Sequence, residues 1–232
     1  MISIRRSADR GKSNIGWLDT RYSFSFNRYY DPNHMGFRSL RVINDDRISP
    51  AAGFGRHPHQ DMEIITWVLS GELAHEDSTG SKAVLKAGNV QRMSAGTGIV
   101  HSECNNSQTE PVHLLQIWIE PNELGIPPRF EDLAILPEQV QGKLCLIASP
   151  DGRDGSSVIQ QDASVYISAL SDGQEVQLPL AAGRHAWVQV ATGQITLNGT
   201  LLEIGDGAAV SDESLLTLRG TEKSDILLFE LS

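Results

Sequence analysis

Apolar and polar residues alternate along this chain in short runs with a period of two, the pattern of β-strands that bury one face. Tyr22-Ser23-Phe24-Ser25-Phe26 sets aromatic rings against serines and predicts a half-buried strand. Leu40-Arg41-Val42-Ile43-Asn44 predicts another, closed by Asp45-Asp46, and residues 49–55 read as a loop. Strand signals then recur at 62–69, 73–76, 83–85, 90–93, 99–101 and 112–119. The segments between them, Ser70-Gly71-Glu72, Asp77-Ser78-Thr79-Gly80 and Ala87-Gly88-Asn89, are turn chemistry. Short strands joined by glycine turns imply a sandwich or barrel rather than a βαβ fold.

Pro121, Pro127, Pro128 and Pro137 interrupt this rhythm and mark the best boundary, with room for one helical turn at 131–136. The expected division is a domain over 1–130 and a second over 131–232. Strand signals return at 144–147, 165–167, 176–178, 187–190, 194–197 and 226–231, and Asn198-Gly199 is a strong hairpin turn. Two features recur in both halves. Gly88 and Gly205 each follow a strand, and Leu69-Ser70-Gly71-Glu72-Leu73 matches Val190-Ala191-Thr192-Gly193-Gln194 in place. The chain therefore reads as all-β, with two related barrel halves.

Composition narrows the function. Lysine and arginine number 19 against 29 acidic residues, a net charge of −10. An acidic chain without basic clusters is unsuited to direct nucleic-acid binding or to an anionic membrane surface. Two cysteines, Cys104 and Cys145, form no disulfide framework. No apolar run has the length of a signal peptide core or a membrane helix, so the expected setting is the cytoplasm.

The residues that change the picture most are His57-Pro58-His59 and His101-Ser102-Glu103. Each motif places two ligand-type side chains at i and i+2, which point the same way on a strand. Two such strands facing each other inside a barrel would bring His57, His59, His101 and Glu103 to one point. Three imidazoles and one carboxylate suit a divalent first-row transition metal, and four protein donors leave positions open for substrate, water or dioxygen. Glu63 lies four residues beyond His59 on the same face; it reads as a supporting or ion-paired residue ahead of a direct ligand. Gln116 either lines a pocket or is a buried amide satisfied by backbone. Alternation aims Cys104 away from the metal. His34, His75, His113 and His185 are isolated. Neither a Gly-x-Ser-x-Gly elbow nor a phosphate-binding loop is present.

At these residues the sequence resembles the cupin superfamily and, within it, the pirin family. The first cupin motif corresponds to Gly53, His57, His59, Glu63 and Gly71, and the second to Gly88, Gly96, His101 and Asn105, with Ser94 where proline is usual. Pirins add a glutamate two residues after the last histidine, here Glu103, and use it as the fourth ligand. The resemblance implies a bicupin, two tandem jelly-roll barrels with one metal in the N-terminal barrel. Iron(II) is the first expectation, with Cu2+, Mn2+, Ni2+, Co2+ or Zn2+ also accommodated. It also implies quercetin 2,3-dioxygenase activity: a flavonol or related phenol loses its 3-hydroxyl proton to Glu103, dioxygen cleaves the heterocycle, and carbon monoxide leaves. The family offers an alternative, a non-enzymatic metal- or redox-sensing regulator that binds a protein partner.

Overall fold

The computed structural model describes residues 1–232. Its strands in chain order are β1 (Ile2–Arg5), β2 (Gly11–Asn14), β3 (Leu18–Tyr22), β4 (Leu40–Ile48), β5 (Gly53–His59), β6 (Glu63–Ser70), β7 (Glu72–Asp77), β8 (Lys82–Lys86), β9 (Val90–Ser94), β10 (Ile99–Asn105), β11 (Val112–Ile119) and β12 (Arg129–Leu133). After a single helical turn, α1 (Pro137–Val140), come β13 (Cys145–Ser149), β14 (Ser157–Val158), β15 (Ala163–Leu170), β16 (Glu175–Pro179), β17 (His185–Thr192), β18 (Gln194–Leu197), β19 (Thr200–Glu203), β20 (Gly207–Val210), β21 (Leu215–Gly220) and β22 (Ser224–Leu231). No helix is long and apolar enough to cross a membrane.

The strands form two copies of one arrangement. The first copy has a seven-stranded sheet, β12-β9-β6-β11-β4-β3-β2, and a four-stranded sheet, β5-β10-β7-β8. The second has β1-β20-β17-β22-β15-β13-β14 and β16-β21-β18-β19. Each pair of sheets is a cupin jelly roll, so the chain is a bicupin. The recurring glycines hold equivalent places: Gly88 and Gly205 donate their N–H to Val68 and Val190 at 2.8 and 2.9 Å, and Val68 and Val190 donate in turn to Asn89 and Asp206.

The compact units do not follow a single cut in sequence. One comprises Gly11–Ile135 with Ile159–Gln161, the other Met1–Arg10, Leu136–Val158 and Asp162–Ser232. A boundary at 130/131 places residues 1–10 in the first barrel, whereas β1 pairs with β20 of the second from Ile2↔Val210 to Arg5↔Gly207. The equivalent edge of the first barrel is taken by β12, which pairs with β9. Residues 131–133, expected in a helical turn, are therefore extended, and the turn begins at Pro137, whose fixed φ suits a first helical position.

Two further strand readings shift. Residues 23–26 fold as a buried loop. The Ser25 hydroxyl donates to the Asp31 carbonyl at 2.9 Å and accepts from the Asp31 N–H at 2.8 Å, replacing ladder bonds with local ones. Asp45 and Asp46 do not end β4, which runs on to Ile48 with both carboxyls buried.

The core differs between the barrels. In the second it is one continuous cluster that includes Leu178, Val188, Leu197, Leu216, Leu218 and Leu228. In the first it is divided into a cluster with Val68, Leu73 and Leu114 and another with Ile64, Met93 and Ile99. The buried polar residues Thr66, Gln91 and Gln116 separate them along β6, β9 and β11.

Gly193 and Gly71 each have positive φ, +71° and +79°, and a Cβ there would meet the carbonyl oxygens of Lys223 and Pro111 at 2.2 and 2.7 Å. Gly199 has φ +81° with open space around it. Gly193→Ala combines backbone strain with a clash and is expected to cost more than the roughly 1 kcal/mol of strain alone. In thermal unfolding, Gly193→Ala and Gly71→Ala should each lower Tm by more than Gly199→Ala does. An equal loss at all three sites would show that the close carbonyl contacts carry no weight.

Candidate metal centre and cavity

Strands β5 and β10 lie side by side with His57 opposite His101 and His59 opposite Ile99. Alternation puts the three imidazoles on the inner face. Their donor atoms, with one nitrogen from each ring, all lie within 4.8 Å of one another. The His57 ring centroid is 4.7 Å from that of His59 and 4.4 Å from that of His101.

Hydrogen bonds fix which nitrogens are free. His57 Nδ1 lies 2.8 Å from the Gly55 carbonyl, which only accepts, so Nδ1 carries the proton and Nε2 a lone pair. Behind His101 stands His75, whose Nε2 donates to Asp77 Oδ2 at 3.2 Å and whose Nδ1 accepts from Gln91 Nε2 at 3.1 Å. His101 Nδ1 faces His75 Nδ1 at 3.4 Å, so the His101 tautomer with its proton on Nδ1 presents a bare Nε2 to a metal. The Nε2 atoms of His57 and His101 are 3.0 Å apart, a separation that suits one shared proton in the metal-free protein or one ion between two lone pairs. Two ligands at a right angle on an ion with bonds of about 2.1 Å are separated by about 3.0 Å. The donor set therefore fits a metal ion.

Electrostatics act in the same sense. Burial, helped by His57, lowers the pKa of His59 to about 4. Burial, then His57, His59 and His75, lowers that of His101 to about 3. Both rings stay neutral at physiological pH, the state that binds metal.

Glu103 is the fourth predicted donor, and a carboxylate oxygen lies within 4.8 Å of a ring nitrogen of His101 and of His75. Gln116 Nε2 donates to Glu103 Oε2 at 2.9 Å. The Thr66 hydroxyl donates to Gln116 Oε1 at 2.7 Å, which orients the amide. Burial raises the Glu103 pKa. Gln116 therefore both lines the cavity and holds the carboxylate. Glu63 takes no part: Ser94 donates to it at 2.8 Å, Arg92 donates to Ser94, and it is sealed in the sheet at 1% exposure. Cys104 is exposed, as alternation requires. His34, His113 and His185 are engaged by Asp31, Asp45 and Ser211.

His57 and His59 open onto a cavity of about 440 Å³, within the range of roughly 300–1,000 Å³ for small-molecule sites. Phe26, Phe54 and Trp118 give it aromatic walls, and Asn44, Asp46, Glu103 and Gln116 line it with polar groups. Trp118 stands edge-on to His59 at 5.0 Å and to Phe26 at 5.3 Å.

Sequence reading missed His75, Asp77 and Gln91 behind His101, and Asn44 and Asp46 in the wall. A detectable signal was the spacing of His75 and Asp77, i and i+2 on a strand like the two motifs themselves.

The second barrel provides an internal contrast. Aligned through the shared glycine bonds and pairing registers, the positions of His57, His59, His101 and Glu103 are held there by Leu178, Leu180, Leu216 and Leu218. All four leucines are buried.

A family model described as Pirin matches residues 3–119, and one described as Quercetinase C-terminal cupin domain matches residues 146–231. Quercetin 2,3-dioxygenase of Escherichia coli (strain K12) is 50% identical over 231 residues, covering 100% of this chain and 99% of that protein. The putative quercetin 2,3-dioxygenase PM1685 of Pasteurella multocida is 44% identical, with 100% of both chains covered. The solved structure of bacterial pirin YhhW from Escherichia coli in complex with nickel(II) is similar to this chain with a TM-score of 0.94 at 48% identity, covering 100% of this chain and 99% of that one.

The depressed imidazole pKa values predict how metal-free protein responds to acid. The folded-state values lie below the unfolded value of about 6.5, so between them the unfolded chain binds more protons. The contribution of His59 and His101 to stability is complete above pH 6.5 and falls as pH is lowered towards 4 and 3. Urea midpoints should drop over that window, and His101→Leu should flatten the slope. An unchanged slope in His101→Leu would contradict the neutral assignment.

Proposed function

The chain belongs to the pirin family, and we propose that it is a metal-dependent dioxygenase that opens the heterocycle of a flavonol such as quercetin with dioxygen and releases carbon monoxide. The observation that carries this reading is the cluster of His57, His59 and His101, with two of its rings and the buried Glu103 lining one aromatic-walled cavity. His57, His59 and His101 hold one divalent ion and Glu103 completes the donor set; iron(II) is the ion we assign, although this set accommodates most first-row divalent metals. When bound, the ion supplies a Lewis acid that favours the deprotonated form of the flavonol 3-hydroxyl.

The remaining chemistry belongs to the chain. Glu103 takes the 3-hydroxyl proton on its carboxylate. Burial makes it a stronger base than an exposed glutamate, closer to the range in which general bases are effective. Thr66 and Gln116 orient it through a chain of two hydrogen bonds. Phe26, Phe54 and Trp118 offer flat apolar faces to a planar aromatic substrate and limit the water around it. Dioxygen then cleaves the heterocycle: both its oxygen atoms enter the carboxylic ester product, and the carbon that bore the 3-hydroxyl departs as carbon monoxide.

Protein reconstituted with each of iron, nickel, cobalt, manganese and copper is incubated in air with quercetin, and the flavonol absorbance and carbon monoxide are followed. Turnover with at least one ion is expected, together with its abolition in His59→Ala. Glu103→Gln should lower kcat by roughly 10²- to 10⁴-fold, the usual contribution of a general base. Absence of turnover with all five ions would sink the dioxygenase reading, and failure of any ion to bind would remove the metal assignment as well.

A further inference from the structure

Asn44 and Asp46 have no role in the scheme above, yet both line the cavity. They stand at i and i+2 of β4 and so share a face, in register with Gln116 and Leu114 of β11. Asn44 is 4% and Asp46 3% exposed. Each keeps a side-chain oxygen, Oδ1 in both cases, that is buried without a hydrogen-bond partner. The Nε1–H of Trp118, in the same cavity wall, is also unpartnered. A buried polar atom left unpaired costs about 1–3 kcal/mol, and folded proteins keep few of them. Other unpartnered atoms, such as Trp67 Nε1 and Gln91 Oε1, lie away from the cavity, whereas these three gather in one cavity wall, where a ligand can supply their partners.

We propose that Asn44, Asp46 and Trp118 form a second recognition subsite, which hydrogen-bonds ring hydroxyls of a polyhydroxylated aromatic substrate other than the hydroxyl handled by Glu103. This rests on the reading of the cavity as the substrate site. Asn44 Oδ1 accepts from a phenolic O–H, and Trp118 Nε1–H donates to a phenolic oxygen. Asp46 Oδ1 accepts from a second phenolic O–H. The subsite selects for ring hydroxylation, whereas the imidazoles and Glu103 select only for an acidic hydroxyl.

Quercetin and 3-hydroxyflavone, which share the reacting hydroxyl but differ in ring hydroxylation, separate these roles. Binding of each to the metal-loaded protein is measured without oxygen by tryptophan fluorescence quenching, with metal content and Tm checked for every variant. The unaltered protein should bind quercetin at least roughly 10-fold more tightly, the value of one good hydrogen bond to a buried group. Asn44→Leu and Asp46→Leu should remove most of that preference by weakening quercetin alone, with metal content unchanged. Should the leucine variants fold poorly, Asn44→Ala and Asp46→Ala delete the same groups without added bulk. The proposal is overturned if the unaltered protein shows no preference, if the variants keep it, or if both flavonols weaken in parallel. Because the readout is binding, an intact preference without oxygen consumption would refute the dioxygenase and still support the subsite.

Discussion

Two imidazole nitrogens held 3.0 Å apart must share either a proton or a cation, and much of the first barrel serves to hold them there. The carbonyl of Gly55 keeps the His57 proton on Nδ1, and His75, itself fixed by Asp77 and Gln91, stands against Nδ1 of His101. Burial drives the pKa of His101 far below neutrality, so this ring brings no positive charge of its own. A bound cation supplies it. Supporting hydrogen bonds of this kind set the tautomer and orientation of metal-binding histidines, which is why the site reaches from the four-stranded sheet into the facing strands β6, β9 and β11.

The second barrel shows what the same frame does without that demand. With the same strand order and the same glycine bonds, leucines stand at the four corresponding positions, and Val188, Leu197 and Leu228 at those of Thr66, His75 and Gln116. Full burial of a leucine contributes about 1.5–3 kcal/mol. The first barrel forgoes that contribution at each polar position and divides its core in two. It offsets part of the loss by pairing polar groups with one another, Thr66 with Gln116 and Gln116 with Glu103. Among the groups it leaves unpaired, those of Asn44, Asp46 and Trp118 lie at the cavity.

Period-two alternation made most strands legible in the sequence, and it made the two ligand motifs legible as same-face pairs. Alternation tells which face a side chain takes and nothing about what it meets there. So the three histidines fall together as their spacing implies, and Glu103, on the same face, also meets Gln116 and His75, which the spacing does not announce. The exchange of edge strands was illegible for a related reason: β1 and β20 are some two hundred residues apart, and a four-residue strand carries no mark of its partner. At 23–26 the serines that looked like the outward face of a strand are turned inward, because hydroxyls can satisfy a loop's backbone as well as face water. The pair Asp45-Asp46 looked like a strand end because acidic residues are rarely buried, and that expectation fails at a site that uses them.

Two buried glutamates in one barrel show how environment decides between scaffold and chemistry. Glu63 and Glu103 are both raised in pKa by burial. Glu63 has its cation built into the chain: Arg92, the middle residue of β9, lies close enough to lower its pKa and binds Ser94, which in turn binds Glu63. Its charge is neutralised within the fold, and nothing is left over for a ligand. Glu103 has no arginine; the groups that favour its charge are histidines and the neutral donors Gln116 and Thr66. Neutral donors fix a carboxylate and lower its basicity only in part, since burial still raises the Glu103 pKa, and they leave the balancing positive charge to be supplied from outside the chain. The cupin motif names Glu63 and the pirin pattern adds Glu103, and the arginine beside one of them is what separates their roles.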